Sequence, residues 1–166
     1  MSGLEIERKF LVKGDDYKRQ ATSKSRIQQG YICSGHGCTV RVRRRDQQAF
    51  LTIKGPSLDN GLSRYEFEKE ITLDEAEHLF QLCEPGIIDK TRFLVPSGKH
   101  VFEVDEFYGE NEGLVMAEVE LSNPDETFVK PDFIGCEVTG DRRFYNSHMR
   151  QNPYKLWKDD IAHLLK

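Results

Sequence analysis

Charged side chains recur at every second position in one short segment after another, and this alternation constrains the fold of the chain more than any other feature. The first such segment, LEIERKF at residues 4–10, places Glu5, Glu7 and Lys9 at alternate positions. Successive side chains of a β-strand point to opposite faces of the sheet, so each segment would have one charged and one apolar face. The chain is therefore predicted to fold mainly into strands.

Eight segments share this pattern and are separated by Gly, Pro, Asn and Asp residues typical of turns. They are predicted as strands near residues 4–12, 26–33, 38–45, 49–54, 63–71, 88–95, 99–107 and 114–122. The spacing of two within each segment favours a sheet with two chemically different faces.

Three helices are predicted to accompany the strands. In TLDEAEHLFQLC, after the fifth strand, Thr72 and Glu75 match a capping box. The apolar side of this helix would be formed by Ala76, Leu79, Phe80 and Leu82. A second helix is predicted in YKLWKDDIAHLL at the C-terminus, and a shorter one within residues 14–25. Helices therefore decorate a mainly β (α+β) fold.

Most strands carry charges of one sign only. The pairs are Arg41 and Arg43, Glu66 and Glu68, Lys90 and Arg92, Glu103 and Asp105, and Glu118 and Glu120, with Lys54 as a single cation. An open sheet with its charged face in water is the simpler alternative. However, a solvated face gains from mixed signs, and like charges opposite each other destabilise a sheet. We therefore predict a closed eight-stranded antiparallel β-barrel, with charged faces lining a tunnel and apolar faces packed outward under the helices.

The predicted tunnel lining combines two kinds of ligand. With Glu5, Glu7 and Lys9 of the first segment added to the charged residues named above, the lining has eight carboxylates and six cations, a net charge of −2. Clustered carboxylates suit Mg²⁺ or Mn²⁺, whereas Arg and Lys suit phosphate oxygens. A phosphate chain bound with a divalent metal is therefore expected, with Glu5 and Glu7 on the metal side and Lys9 near phosphate or water.

Length and composition limit the other possibilities. A chain of 166 residues is usual for one domain, so residues 1–166 are predicted to form a single domain. The net charge of −4 argues against general nucleic-acid binding, including by RVRRR at residues 41–45. With no apolar N-terminal segment and no run approaching the roughly 20 residues of a membrane span, a cytoplasmic protein without a membrane partner is expected.

The four cysteines are predicted to be free thiols. Cys33, Cys38, Cys83 and Cys136 lack paired C-x-x-C spacing, and the chain shows no secretory signal. CSGHGC, at residues 33–38, leaves a zinc site with His36 as an alternative. Because structural zinc usually needs four ligands, a glycine-rich hairpin tip is favoured there.

The sequence resembles the CYTH family, also called triphosphate tunnel metalloenzymes, whose hallmark is an N-terminal E-x-E-x-K, here Glu5, Glu7 and Lys9. Further motifs follow in order up to about residue 145: GYI with Tyr31, VRVR, TIKG, EFE, KTR, EVD, AEVE and CEVTGDRRFYN. The resemblance implies an eight-stranded antiparallel tunnel, action on triphosphate-bearing substrates, and dependence on magnesium or manganese. Members of the family include inorganic, thiamine and RNA triphosphatases and class IV adenylyl cyclases.

The combined expectation is metal-dependent hydrolysis of inorganic triphosphate, with nucleoside triphosphates as further candidate substrates. Catalytic roles are assigned to Lys9 and Tyr31. Substrate binding is assigned to Arg41, Arg43, Lys54, Lys90 and Arg92. Metal binding is assigned to Glu5, Glu7, Glu66, Glu68, Asp105, Glu118 and Glu120. Arg45, Lys69 and Glu70 are assigned to a solvated rim.

Two alternatives remain open at this point. One is a class IV adenylyl cyclase, which would use the ribose hydroxyl of ATP as nucleophile in the same tunnel. The other is a polyphosphate- or nucleotide-binding module without turnover. The expected partner is a triphosphate-containing small molecule, without nucleic acid or membrane, and a homodimer is left open.

Overall fold

The computed structural model of the chain describes residues 3–35 and 37–165, and strands dominate this part. The strands are β1 (Gly3–Val12), β2 (Ser23–Gly35), β3 (Cys38–Arg45), β4 (Gln48–Lys54), β5 (Ser63–Ile71), β6 (Ile88–Ser97), β7 (His100–Phe107), β8 (Val115–Glu120) and β9 (Ile134–Glu137). The first eight confirm the predicted strands, with ends that differ by a few residues. Strand β9 was not predicted, because IGCE is too short to show alternation.

Strands β1 to β8 close into an antiparallel barrel. Hydrogen-bonded neighbours follow the order β5-β4-β3-β2-β6-β7-β8-β1, and β1 also pairs with β5, which closes the ring. The strand registers place residues of the charged faces opposite each other on neighbouring strands. Glu7 lies opposite Glu120, and Arg92 lies opposite Asp105. The predicted fold class is therefore confirmed, with β9 as an additional strand.

Strand β9 continues one edge of β1 beyond the point where β5 leaves it. Residues 3–6 of β1 pair with β5, and residues 10–12 pair with β9. Directly after β9, the Val138 N–H donates to the Lys9 carbonyl at 2.8 Å. The chain then passes through a 3₁₀ turn, Arg142–Phe144, and a short helix, Asn146–Met149. This segment brings side chains to the tunnel that do not belong to the eight barrel strands.

The core of the protein lies outside the barrel wall. Phe10, Phe102 and Val119, on β1, β7 and β8, are fully buried. Tyr17 and Phe133, from the surrounding segments, belong to the same cluster. Burying a side chain of this size contributes about 1.5–3 kcal/mol to stability. The predicted inversion, with apolar residues outside and charges inside, is thus present on these strands.

A second apolar cluster holds the C-terminal segment against the barrel. Its buried residues are Leu11, Ile88, Phe107, Leu114, Met116, Val138, Phe144, Met149, Tyr154, Trp157 and Ile161. The rings of Phe144 and Trp157 meet edge to face at 5.1 Å between centroids. The segment that follows β9 is therefore an integral part of the core.

The outer face of β4 and β5 departs from the expectation that every apolar face is covered. Ile53, Tyr65 and Phe67 are 39%, 58% and 40% exposed. Helix α2 (Leu73–Phe80) covers only the neighbouring part of the barrel, where its Ala76 packs with Val42 of β3 and Ala49 at the start of β4. Coverage of the barrel is consequently incomplete on the β4–β5 side.

The helix that follows β5 begins with the predicted capping box. The Thr72 hydroxyl accepts from the Glu75 N–H at 3.0 Å, and the Glu75 carboxylate accepts from the Thr72 N–H at 2.8 Å. Helix α2 ends at Phe80, so Leu82 lies beyond it and is 64% exposed. The assignment of Leu82 to the apolar side of the helix was wrong because the helix stops before it.

The other predicted helices are shorter or tighter than expected. Helix α1 (Tyr17–Gln20) and helix α3 (Asn146–Met149) each have four residues. The C-terminal segment forms two 3₁₀ helices, Tyr154–Leu156 and Lys158–Leu165, instead of one α-helix. Trp157 separates them with a φ of −131°, and its indole N–H donates to the Asn152 carbonyl at 2.9 Å.

The four cysteines are free, as predicted. His36 lies outside the described residues, so the zinc alternative at residues 33–38 falls partly outside them as well. In the described part of the chain, none of the helices has the length and apolar character needed to cross a bilayer.

Candidate active site

The barrel encloses a polar tunnel of about 230 Å³. Of the described residues, the predicted site side chains that line it are Glu5, Glu7, Lys9, Tyr31, Arg41, Arg43, Lys54, Glu66, Glu68, Lys90, Arg92, Glu118 and Glu120. Asp105 is the predicted residue that does not line the tunnel. The alternation explains this agreement, because every second side chain of a barrel strand faces the interior.

One wall of the tunnel is acidic. Strand β1 lies between β5 and β8 in the barrel, so the charged faces of these three strands are neighbours. Their carboxylates are Glu5 and Glu7 on β1, Glu66 and Glu68 on β5, and Glu118 and Glu120 on β8. Carboxylates gathered this closely need cations or protons to offset their mutual repulsion.

Two pairs within the acidic wall are joined by carboxyl–carboxylate hydrogen bonds. Burial, and then the charge of Glu118, raise the pKa of Glu7 well above its ordinary value. Burial also acts to raise the pKa of Glu118, but Lys9 and the hydrogen bond from Glu7 lower it well below the ordinary range. Within this pair, the surroundings therefore favour the protonated form of Glu7 and the charged form of Glu118.

Glu5 and Glu66 form the second pair, with the same division of roles. Burial raises the pKa of Glu5 more than the charge of Lys54 lowers it. For Glu66, the hydrogen bond with Glu5 and the charge of Lys54 outweigh burial, so its pKa is lowered. The Lys54 ammonium lies 3.0 Å from Glu5 and 3.3 Å from Glu66, and it is therefore paired with the acidic wall.

The opposite wall is cationic. Strand β2 is four strands away from β1 around the ring, and its neighbours β3 and β6 carry Arg41, Arg43, Lys90 and Arg92. Burial, together with Arg41 and Arg92, lowers the pKa of Arg43 to about 9. The Arg41 Nε is buried and has no hydrogen-bond partner in the described part of the chain. Because an unsatisfied buried donor is costly, this wall is suited to an anion.

Asp105 lies behind the cationic wall. Its Oδ1 accepts from Arg92 Nε at 2.7 Å, and its Oδ2 accepts from Lys90 Nζ at 2.7 Å and Arg92 Nη2 at 2.8 Å. The carboxylate is 2% exposed, and these two cations lower its pKa although burial acts to raise it. The structure does not bring Asp105 to the acidic wall, and we propose that it holds Lys90 and Arg92 in place.

Lys9 lies at the edge of the acidic wall. Its ammonium donates to the Phe144 carbonyl at 3.2 Å and lies 3.5 Å from Glu118. Burial acts to lower the pKa of Lys9, but Glu118 and Glu7 outweigh it, so the pKa is raised. A lysine base would need a lowered pKa. The structure therefore favours Lys9 as a hydrogen-bond donor.

Tyr31 belongs to the cationic side of the tunnel. The residue is buried on β2, and its hydroxyl accepts from Gln29 Nε2 at 3.2 Å. Its position among the arginines is compatible with contact to an anion. The role assigned to Tyr31 from sequence remains a proposal.

Two arginines missed as site residues extend the alternation. Arg64 lies two residues before Glu66, and Arg45 lies two residues after Arg43, so both face the tunnel and line it. The assignment of Arg45 to a solvated rim was wrong, because its side chain is partly buried with its guanidinium 5.0 Å from the Phe50 ring centroid. Period-two spacing alone could have identified both.

The two arginines change the charge of the lining. Counted over the described residues, eight cationic side chains and seven carboxylates line the tunnel. The net charge is +1 instead of the predicted −2, because Arg45 and Arg64 are added and Asp105 is removed. The separation of charge between the walls, more than the net charge, therefore characterises the site.

Three lining residues come from the segment after β9, where sequence alternation offers no signal. They are Tyr145, Asn146 and Ser147. The ring of Tyr145 lies 5.0 Å from Lys9 Nζ and 5.6 Å from the guanidinium carbon of Arg64, both within cation–π range. This ring therefore contacts two cations near the acidic wall.

A larger cavity of about 660 Å³ adjoins the tunnel and forms its mouth. It shares Thr39, Arg64, Tyr145 and Ser147 with the tunnel lining, and Arg142 and His148 add to it. Among the described residues, its lining includes no carboxylate. The mouth therefore favours the approach of an anion.

Comparison with known proteins agrees with this geometry. A family model for the CYTH domain matches residues 3–145. The chain belongs to the CYTH domain family. The match begins at β1 and ends at Tyr145, so it covers the barrel and part of the segment that completes the tunnel.

Two curated relatives of this CYTH protein span nearly its whole length. An inorganic triphosphatase from Acetivibrio thermocellus is 48% identical over 158 residues, covering 95% of this chain and 99% of the relative. An inorganic triphosphatase from Nitrosomonas europaea is 35% identical over 148 residues, covering 86% and 93%. A crystal structure of an inorganic triphosphatase, 29% identical, superposes with a TM-score of 0.58 over 92% of this chain and 94% of the other.

Proposed function

We propose that this CYTH protein hydrolyses inorganic triphosphate with a divalent metal, Mg²⁺ or Mn²⁺, and that residues 1–166 form one domain. The observation that carries the proposal is the division of a single tunnel into an acidic and a cationic wall. A triphosphate bound with a divalent cation complements both walls. The names of the two curated relatives support the same substrate.

The donor set of the acidic wall fits such a metal. The carboxylates of Glu5, Glu7 and Glu120 line the tunnel close to those of Glu66 and Glu118 and offer hard oxygen ligands, and their mutual repulsion would be offset by a bound cation. As the side chains lie, no three His, Cys, Asp or Glu residues within the described ranges converge as a complete metal site. Mg²⁺ usually takes only one or two carboxylates, with water and substrate phosphates as its other ligands. Glu5, Glu7 and Glu120, with their neighbours, would hold it, and it would supply charge stabilisation and an activated water.

The residues of the chain would act mainly by positioning and electrostatics. Arg41, Arg43 and Arg92 would grip the phosphate oxygens through charge-assisted hydrogen bonds and stabilise charge that develops in the transition state. Lys9, as an ammonium, would orient the water or a phosphate oxygen at the boundary of the two walls. Because these donors are already in place, little reorganisation is needed on binding.

Two substitutions should separate the roles of the walls. Replacing Arg41 with alanine removes a donor with an unsatisfied N–H, so KM should rise about 10–150-fold, the equivalent of one hydrogen bond to a charged group. Replacing Glu120 with alanine should instead raise the metal concentration that gives half-maximal activity. Both are measured by steady-state kinetics over a matrix of tripolyphosphate and Mg²⁺ concentrations. Identical effects of the two variants on both parameters would contradict the division into walls.

The substrate itself is tested by product analysis. Tripolyphosphate should be hydrolysed with a higher kcat/KM than ATP, because the tunnel offers charged groups for phosphates. The aromatic ring at the mouth on which an adenine base could stack, Tyr145, is already in contact with Lys9 and Arg64. The protein is incubated with each substrate and Mg²⁺ or Mn²⁺, and phosphate, pyrophosphate, ADP and cyclic AMP are resolved by chromatography. Cyclic AMP with pyrophosphate as the main ATP products would establish the cyclase instead, and no turnover of either would favour the binding module.

A further inference from the structure

A buried glutamine connects the cationic wall to the segment that follows β9. Gln29, on β2, is fully buried. Its Oε1 accepts from Arg43 Nε at 2.9 Å, and its Nε2 donates to Asn146 Oδ1 at 3.0 Å and to the Tyr31 hydroxyl at 3.2 Å. Gln29 therefore links one substrate-side arginine directly to a residue outside the eight barrel strands.

Chemistry determines the orientation of this amide. A guanidinium can only donate hydrogen bonds, so the group of Gln29 that faces Arg43 must be the carbonyl oxygen. The NH₂ group of Gln29 is then turned toward Asn146, whose side chain must present an acceptor there. The oxygen Oδ1 of Asn146 meets that requirement.

Lys90 imposes the same orientation on Asn146 independently. The Lys90 ammonium, which has three donors and no acceptor, donates to Asn146 Oδ1 at 3.0 Å. With Oδ1 held by both Gln29 and Lys90, the Nδ2 group is the remaining polar end of the side chain. Asn146 lines the tunnel, and no described residue accepts a hydrogen bond from its Nδ2.

We propose that Asn146 is a substrate-binding residue whose Nδ2 donates a hydrogen bond to a phosphoryl oxygen of the bound triphosphate. Gln29 is the positioning residue that keeps this donor turned toward the tunnel. The inference rests on the proposed function, since the tunnel must hold a phosphate chain. It adds a neutral donor beside Lys90 and Arg43, carried by helix α3 and not by a barrel strand.

The substitutions Asn146→Asp and Asn146→Ala distinguish a donor from a scaffold. Aspartate keeps an acceptor for Lys90 and Gln29 but presents a second negative oxygen to the substrate. If Asn146 donates to phosphate, KM for tripolyphosphate should rise about 10–100-fold in the alanine variant and further in the aspartate variant. If Asn146 only supports Lys90, aspartate should be closer to the wild type than alanine, and the proposal would be overturned.

Asn152→Asp provides a matched control. It introduces the same charge change six residues away, on an exposed side chain that does not line the tunnel. Its KM should stay within about twofold of the wild type. Gln29→Leu removes one of the two groups that hold the Asn146 oxygen, and also the acceptor of Arg43. It should raise KM while Asn146 is intact, and by a smaller factor in the Asn146→Ala background, where only the effect through Arg43 is left. An unchanged KM in Gln29→Leu would remove the positioning role.

Calorimetric titration of each variant with tripolyphosphate in EDTA separates this proposal from the proposed function. If the wild type binds tripolyphosphate in EDTA but does not turn it over after Mg²⁺ is added in excess, hydrolysis is refuted, and the order of affinities still decides the role of Asn146. We expect the wild type to bind tripolyphosphate more tightly than Asn146→Ala, and Asn146→Ala to bind it more tightly than Asn146→Asp. Equal affinities in all three, or no binding by the wild type, would overturn the proposal.

Discussion

Replacing Asp105 with alanine is expected to lower the free energy of unfolding by about 3–5 kcal/mol, the usual cost of breaking a buried ion pair from one side. Lys90 and Arg92 are 1% and 8% exposed, and they would lose the carboxylate that accepts three hydrogen bonds from them. Lys90 can lose its proton, since burial, though opposed by Asp105, lowers its pKa to about 7. Arg92 cannot, so its charge would remain buried with the partly exposed Glu103 carboxylate, 3.3 Å from its Nη1, as its remaining ion-pair partner among the described residues.

Urea unfolding in EDTA measures this effect without any contribution from metal. Asp105→Asn serves as the isosteric version, and Glu120→Gln is the matched control, because Glu120 is exposed and its change should stay within about 0.5 kcal/mol. An Asp105→Asn protein as stable as the wild type in EDTA would refute the supporting role. That result would return Asp105 to the metal-ligand assignment made from sequence.

Removal of divalent metal is expected to reduce hydrolysis of tripolyphosphate by roughly 10³-fold. Metal charge stabilisation is worth several kcal/mol, and each 1.36 kcal/mol corresponds to a factor of ten in rate. The physical reason is the acidic wall, whose carboxylates would hold the metal beside the substrate, so EDTA would remove the positive charge that stabilises the transition state. Phosphate release is measured with EDTA and after graded addition of Mg²⁺ or Mn²⁺.

The protein treated with EDTA should remain folded. Its carboxylate pairs and ion pairs form without metal, as between Lys54 and Glu5, so its urea midpoint should stay close to that of the untreated protein. Activity should return on addition of metal, which distinguishes cofactor loss from unfolding. Full hydrolytic activity in EDTA would rule out the proposed metal dependence.

Local pattern was sufficient to predict most of the tunnel lining. Arg41 and Arg43 face the interior because strand side chains alternate, and this follows from covalent geometry whichever strands become neighbours. The same rule extends to Arg64 and Arg45, which were available in the pattern and were missed. Asp105 shows the limit of the rule, because the alternation does not specify whether a carboxylate is open to the tunnel or, as here, already paired with Lys90 and Arg92.

Residues from outside the strands could not be predicted in this way. Tyr145 and Asn146 reach the tunnel because β9 pairs with the end of β1 and the apolar cluster around Phe144 and Trp157 fixes the segment that follows. The pairing of β1 with β9, and the packing of this cluster on Leu11, join parts of the chain that are more than a hundred residues apart. No local periodicity reports such contacts.

The sequence by itself determined which side chains are charged, which of them share a strand face, and hence that a closed sheet would enclose a polar tunnel. Only the tertiary structure decided how those faces are arranged around it. The ring order places β1 between β5 and β8, and β2 between β3 and β6, so carboxylates gather on one wall and arginines and lysines on the other. The physical reason is that strand pairing is non-local: each strand specifies its own two faces, but its neighbours are selected by the burial of apolar residues over the whole barrel.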